Sequence, residues 1–309
     1  MSGERKLAVI DCGTNTFHLM IAKVNGTGFE IVSREKVPVK IGEGGINQGV
    51  ITSQAVDRAL DALAGFRKKI DSLEIDAVMG FATSAFRNAR NGRELADQVN
   101  RDYNIPIEII SGDREAELIF KGVNSALKLN QTALVMDIGG GSVEFIIGSD
   151  SGILWKQSFE IGGQRLVEMF HKHDPITQSD MELLERHAEE HLQSLFDALA
   201  KHKPTLLAGS SGTFDTLSDI YRKQVGIDDD DSSPELPLTF ESYQQIHRDL
   251  ISKDREERLL IPGMIPLRVE MIVVASCLIH YILKRHTFEG IRVSTYSLKE
   301  GLLAEMTAQ

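Results

Sequence analysis

The chain has 309 residues, of which 42% are hydrophobic and 26% charged, with a formal net charge of −11. That length suits two domains rather than one core, and the acidic balance argues against a general nucleic-acid binder. No apolar run approaches the roughly 20 residues of a membrane span. Two cysteines without a C-x-x-C argue against a disulfide framework or structural zinc. The N-terminus shows no leader architecture, so the expected setting is the cytoplasm. An anionic substrate would have to be met by local arginines, loop amides and metal.

In chain order, residues 6–11 and 17–24 are predicted as strands, Gly26 and Gly28 as a tight turn, and 29–41 as a third strand. Asp11 ends the first strand, and Gly13, Thr14, Asn15 and Thr16 lie in the loop before the second. Gly42, Gly44, Gly45 and Gly49 follow. A binding loop and a plain surface connection compete for that stretch. Thr52 opens a helix whose face carries Val56, Ala59, Leu60, Leu63, Phe66 and Ile70. A strand over 77–81 leads into ATSAFRNARNG, which places Thr83, Ser84 and Arg87 at a strand's carboxyl end, where ligands gather in α/β sheets. For Arg87 and Arg90, phosphate contact and a solvated helix face are equally weighted.

Residues 93–103 are predicted as a helix and 107–110 as a strand. Ser111 then caps a helix carrying Asp113 and Glu115 in its first turn. Those acids either complement the helix dipole or, for Glu115, supply a general base.

The stretch 133–148, ALVMDIGGGSVEFIIG, repeats the pattern of LAVIDCGTNTFHLMIA at 7–22. Without a gap, Asp137 matches Asp11, Gly139 matches Gly13, and Ser142 matches Thr16. Gly139, Gly140, Gly141 and Ser142 form a nest that suits phosphate, beside a carboxylate that suits a hard cation. The competing view is a pair of structural hairpins whose acids cap turns.

Residues 155–160 are predicted as a strand and 178–201 as one long helix. His187 and His191 sit on that helix at zinc-compatible spacing, but no third ligand is visible, and a solvated face is favoured. A short strand at 206–208 runs into GSSGTFDTLSD, with Gly212 and Thr213 at the junction. That junction is either an anion site or a plain capped helix start. An acidic loop at 226–237, helices at 240–252 and 254–260, a buried helix at 269–285, a strand at 291–295 and a helix at 298–306 complete the chain.

Two phosphate loops with acids are the arrangement of the actin-like ATPase and sugar-kinase class. A phosphate-handling enzyme using a divalent metal is the first reading. A nucleotide sensor without chemistry is the second. The intact Glu115 favours the enzyme.

The motifs VIDCGTNTFHLMIA, ATSAFRNARNG, IISGDREAELIFKGV, MDIGGGSVEFIIG, AGSSGTFDTL and VSTYSLKEGLL, in that order, resemble the exopolyphosphatase / guanosine pentaphosphate phosphohydrolase (Ppx/GppA) family. The resemblance implies an α/β chain of two ribonuclease-H-like domains with an interdomain cleft. Their bounds are 1–123, with a closing helix at 297–309 packing back, and 124–296. It implies Mg²⁺ (or Mn²⁺) dependent hydrolysis of a terminal phosphoanhydride. The implied substrate is polyphosphate or guanosine pentaphosphate, with an alarmone-binding protein of weak hydrolysis as the alternative. By the same resemblance Glu115 activates water and Arg87 meets the transferred phosphate. Asp137, Glu144 and Asp11 hold metal, the two loops cradle phosphates, and Arg268 contacts substrate. It further implies a short form lacking the extra helical C-terminal domains of longer relatives and a homodimer at the level of the family, while the acidic charge and the lack of a long apolar run give the expectation of no nucleic-acid or membrane partner. Three positions depart from the family's pattern. Arg114 stands where a glutamate is frequent, Cys12 where an aliphatic residue is common, and Glu270 where an aspartate is usual.

Overall fold

The computed structural model describes residues 5–25, 28–228 and 233–307. Gly26 of the first predicted turn, the four leading residues and 229–232 of the acidic loop lie outside them. The chain divides into two units, one of Met1–Lys121 with Leu298–Gln309 and one of Gly122–Ser297.

Unit 1 is built in chain order from β1 (Arg5–Cys12), β2 (Thr16–Asn25), β3 (Gly28–Pro38), α1 (Ser53–Asp71), β4 (Ala77–Ala82), α2 (Ser84–Asn88), α3 (Gly92–Tyr103), β5 (Ile107–Ile109) and the start of α4 (Gly112–Leu127). Its sheet runs β3-β2-β1-β4-β5. The first three strands are antiparallel neighbours, and β1, β4 and β5 pair in parallel. β1 is buried on both faces at Leu7–Ile10, as a central strand of a layered sheet must be. α1 covers it with Ala55, Ala59, Leu63, Phe66 and Ile70. Thr52 caps that helix, accepting from the Ala55 N–H at 3.3 Å.

Unit 2 continues with β6 (Ala133–Ile138), β7 (Val143–Ser149), β8 (Gly152–Phe159), α5 (Gly163–Phe170), α6 (Gln178–His191), α7 (Gln193–His202), β9 (Leu206–Ser210), α8 (Ser211–Val225), β10 (Glu235–Leu236), α9 (Phe240–Ser252), α10 (Arg255–Leu259), α11 (Met271–Arg285) and β11 (Gly290–Ser294). Its sheet order is β10-β11-β9-β6-β7-β8. β8, β7 and β6 correspond to β3, β2 and β1, and the parallel pair β9 and β11 corresponds to β4 and β5. Both units therefore have the ribonuclease-H-like plan, the building block of the actin-like class. α11 lies in the core and is buried from Met271 to Ile279 without a break.

The single helix expected over 178–201 is two. The chain leaves helical geometry at Leu192 (φ −102°, ψ 15°). α6 packs on α5 and α11, whereas α7 packs on β7 and β8. The apolar spacing runs through the bend because Leu184, Ala188, Leu192, Leu195 and Leu199 all face one core. Periodicity reports which face is buried and is blind to such a change of direction.

α12 (Leu298–Thr307) returns to unit 1 against β1, β2 and β3. Lys299 Nζ stands 3.6 Å from the Asp11 carboxylate. Glu305 accepts both arms of the Arg114 guanidinium, at 2.5 and 3.0 Å, and the Lys121 ammonium. Arg114 thus serves as a tie from the first turn of α4 to α12. Its hydrogen bonds, with those of Lys121, hold the Glu305 carboxyl at about 2, below the ordinary glutamate range. A depressed carboxyl contributes stability above its unfolded pKa, and that contribution is lost as pH falls through the folded value. Replacing Glu305 by Gln is expected to lower the melting temperature by about 1–3 °C at pH 7. The gap between wild type and variant should close between roughly pH 4.5 and pH 2 in a series of thermal melts.

Candidate active site

Register in unit 2 lines up one transverse row of side chains. Ser294 on β11 pairs with Ser210 on β9, Ser210 with Asp137 on β6, Asp137 with Glu144 on β7, and Glu144 with Ser158 on β8. Directly paired residues share a sheet face, so the row joins two acids to hydroxyls on either side. The Ser210 hydroxyl donates to Asp137 Oδ2 at 2.6 Å, and Ser158 donates to Glu144 Oε1 at 2.7 Å. Ser211 and Ser297 also donate to Asp137 Oδ2, at 2.7 and 2.6 Å. Both acids are buried, Asp137 to 4% and Glu144 to 1% exposure. Burying a carboxylate is costly unless such donors meet it.

Ser211 is held at φ 67°, where a side chain costs about 1–2 kcal/mol. A hydrogen bond to a charged acceptor contributes roughly 1.5–3 kcal/mol, enough to offset the strain. The Oδ1 atom of Asp137 takes no hydrogen bond among the described residues. One oxygen of Asp137 is therefore fixed by three hydroxyls while the other is uncommitted.

The loop after Asp137 is locked from behind by the start of α5. The N–H groups of Gly163, Gln164 and Gly162 donate to the carbonyls of Gly139, Gly140 and Gly141 at 2.9, 2.8 and 3.1 Å. Arg165 adds a bond from Nε to the Gly141 carbonyl at 2.9 Å. With every glycine carbonyl held on that side, the N–H groups of Gly140, Gly141 and Ser142 meet no acceptor among the described residues. This is the donor set of an anion nest. Gly162 has no room for a side chain, since a Cβ would lie 2.4 Å from the Gly141 carbonyl carbon.

The loop of unit 1 is built alike. Gly42 and Lys40 donate to the carbonyls of Thr14 and Asn15 at 3.1 and 2.8 Å, so the chain leaving β3 backs this loop as the chain leaving β8 backs the other. A Cβ on Gly13 would lie 3.1 Å from the Thr16 carbonyl, and one on Gly139 would lie 3.1 Å from that of Ser142. Gly42 gives Thr14 space, because a Cβ there would meet its Cγ2 at 2.5 Å. The Thr16 hydroxyl is buried and meets no partner among the described residues. Burial and the neighbouring Asp11 charge push the Cys12 thiol well up, which makes it an inert core group rather than a redox site.

Also in unit 1, Thr83, Ser84 and Glu115 are buried. Asn88 Nδ2 donates to the Ser84 hydroxyl at 3.3 Å and to its carbonyl at 2.9 Å. Ser111 caps α4 through the Arg114 N–H at 3.2 Å, which places Glu115 in the first turn. One nitrogen of Arg87 bridges Glu115 Oε2 at 2.9 Å and the Ile110 carbonyl at 3.1 Å. Arg87 is therefore no solvated helix residue, since it fixes the carboxylate that the sequence marks as a candidate base. Asp11, by contrast, already faces the Lys299 ammonium.

In unit 2, Gly212 lies under the Arg268 guanidinium, where a Cβ would fall 2.0 Å from Nη2. Arg268 is 8% exposed and its Nε meets no acceptor among the described residues. Burial lowers its pKa, while the charges of Asp215 and Asp137 work the other way. The Thr213 hydroxyl is likewise buried without a partner among the described residues. A desolvated cation and unsatisfied donors gathered near Asp137 suit an anionic ligand. The site residues that sequence reasoning missed are Ser210, Ser211, Ser297, Arg165, Gly162 and Lys299. The serines stood inside quoted motifs, but only the register shows that they converge on Asp137.

Residues 20–309 match the model of the Ppx/GppA phosphatase family. A Haemophilus influenzae protein named "Putative exopolyphosphatase" is 27% identical over 97% of this chain and 90% of its own length. The crystal structure of an exopolyphosphatase from Cytophaga hutchinsonii is 44% identical, covers 98% of each chain and superposes with a TM-score of 0.95. An Aquifex aeolicus Ppx/GppA protein, 23% identical over 99% of this chain and 98% of its own, shares the fold with a TM-score of 0.81. With the model matched along most of its length, this chain belongs to the Ppx/GppA phosphatase family.

Proposed function

We propose that this phosphatase hydrolyses the terminal phosphoanhydride bond of inorganic polyphosphate and releases orthophosphate. The observation that carries the reading is the loop after Asp137, whose carbonyls are tied back while, among the described residues, three N–H groups meet no acceptor beside a carboxylate with one oxygen that accepts no hydrogen bond. Similarity to the Cytophaga exopolyphosphatase supports the substrate class.

The nest binds phosphate oxygens, and Arg268 and the Thr213 hydroxyl add charge and a donor. In unit 1 the loop at Gly13–Thr16 and the hydroxyls of Thr83 and Ser84 take the corresponding part. Glu115 accepts a proton from water at its carboxylate, held in orientation by Arg87. The water oxygen bonds the terminal phosphorus as the bridging P–O bond breaks, and the shortened chain departs with the bond's electron pair. Asp137 and Glu144 offer hard oxygen donors of the kind Mg²⁺ or Mn²⁺ takes, and the uncommitted Oδ1 fits that role. Asp11 fits it less well, because Lys299 already balances its charge. Such an ion, when bound, would neutralise phosphate charge.

The test is phosphate release across polyphosphate lengths beside guanosine pentaphosphate, with and without Mg²⁺. Faster release from polyphosphate supports the proposal. Exclusive turnover of guanosine pentaphosphate replaces the substrate, and tight guanosine tetraphosphate binding without turnover replaces the enzyme by a sensor.

Exchanging Glu115 for Gln should lower kcat by about 10²–10⁴-fold with substrate binding retained; unchanged turnover removes Glu115 as the base. Introducing Ala at Gly162 forces the nest to shift and is expected to cost on the order of 10²-fold in kcat/KM. Circular dichroism would check that the fold survives that change.

A further inference from the structure

We propose that the last turn of α6 is a surface site for a zinc-class transition dication, held by His187, Glu190 and His191. These residues stand at i, i+3 and i+4 and so share one helix face. One ligand atom from each lies within 4.8 Å of the other two, and this is the single such group of three among the described residues. The third ligand that sequence spacing alone did not reveal is therefore Glu190.

The donors are prepared in three ways. His191 Nδ1 stands 2.8 Å from the His187 carbonyl, which can only accept, so Nδ1 carries the proton and Nε2 presents its lone pair. An imidazole that donates its far N–H to a backbone carbonyl is the recurring support of a metal-bound histidine. The His187 ring packs on Phe170 at 5.2 Å and faces the His191 ring at 4.0 Å, which sets the two imidazoles side by side. The neighbouring acid, Glu189, is taken by the Tyr281 hydroxyl and the Arg285 guanidinium, and this leaves Glu190 as the acid of the histidine face.

Two imidazoles and one carboxylate select a borderline ion such as Zn²⁺, Co²⁺ or Ni²⁺ over Mg²⁺. Zn²⁺ takes nitrogen ligands at roughly 2.0–2.1 Å and carboxylate oxygen at about 2.0–2.2 Å. Glu190 and His191 are exposed and free to close the remaining distance by rotamer change. The three protein ligands leave the other positions to water. Bound there, the ion clips the turn that immediately precedes the bend at Leu192. The site uses no residue assigned to phosphate chemistry.

The experiment is calorimetric titration of the chelator-stripped full chain with ZnCl₂, paired with thermal melts. His187→Ala, Glu190→Gln and His191→Ala are compared with wild type and with the control His202→Ala. The expected result is saturable Zn²⁺ binding with a rise in melting temperature. Both are lost in the two histidine variants, weakened in Glu190→Gln and retained in His202→Ala. His187 packs on Phe170, so the exposed His191→Ala variant, with unchanged circular dichroism, decides if His187→Ala fails to fold. Absence of saturable binding overturns the proposal. So does Zn²⁺ binding that survives in His191→Ala, which would place the ion on other histidines or on the carboxylates of the phosphate chemistry. Phosphate release with Mg²⁺ should be the same in wild type and His191→Ala.

Discussion

Strand register in the second sheet is the constraint on which the candidate chemistry depends. A slip of one residue between β6 and β9 would turn Asp137 to the opposite face from Ser210 and strip the acid of a donor. The register aligns the buried runs Leu134–Met136 on β6 and Leu206–Ala208 on β9, and a slip would force these close-packed side chains to exchange faces and repack. Apolar packing with no part in chemistry thereby fixes the position of a charged group. The three hydroxyls then decide which oxygen of that group stays uncommitted.

The two units share a plan and a way of holding their loops, but they have diverged in what stands behind the acid. In unit 2, the hydrogen bonds to Asp137 come from neutral hydroxyls, and the buried Arg268 cation acts on it only through its charge. In unit 1, Asp11 is met by the lysine of α12. A carboxylate in direct contact with an ammonium has less charge to offer a dication than one whose direct contacts are hydroxyls. The two loops match in backbone geometry and differ in electrostatics.

Much of this was legible in the sequence. Apolar runs and glycine turns located the strands around Asp11 and Asp137, and the gap-free match between residues 7–22 and 133–148 announced two copies of one sheet plan. Family motifs singled out Glu115 and Arg87, which the structure joins by a hydrogen bond. The break at Leu192 was illegible because an apolar side chain at helical spacing reads the same whether the helix continues or bends there. The serines around Asp137 were illegible for another reason: Ser297 is far from it along the chain, and hydroxyls carry no distinctive pattern. Arg114 looked like a lost acid. Its partner Glu305 lies in the last helix, so only the fold shows what the arginine does. The glycines at 42 and 162 required coordinates because their role is to leave room for another loop's atoms.

The return of α12 to the first sheet also orders events during synthesis. Unit 1 is split in the sequence, and the whole of Gly122–Ser297 separates its two parts. A ribosome working from the N-terminus completes unit 2 before it makes the helix that covers β1, β2 and β3. During that interval the first sheet lacks its last covering element, and the Asp11 carboxylate lacks its lysine. The earlier-made half of the enzyme is thus the later one to be finished.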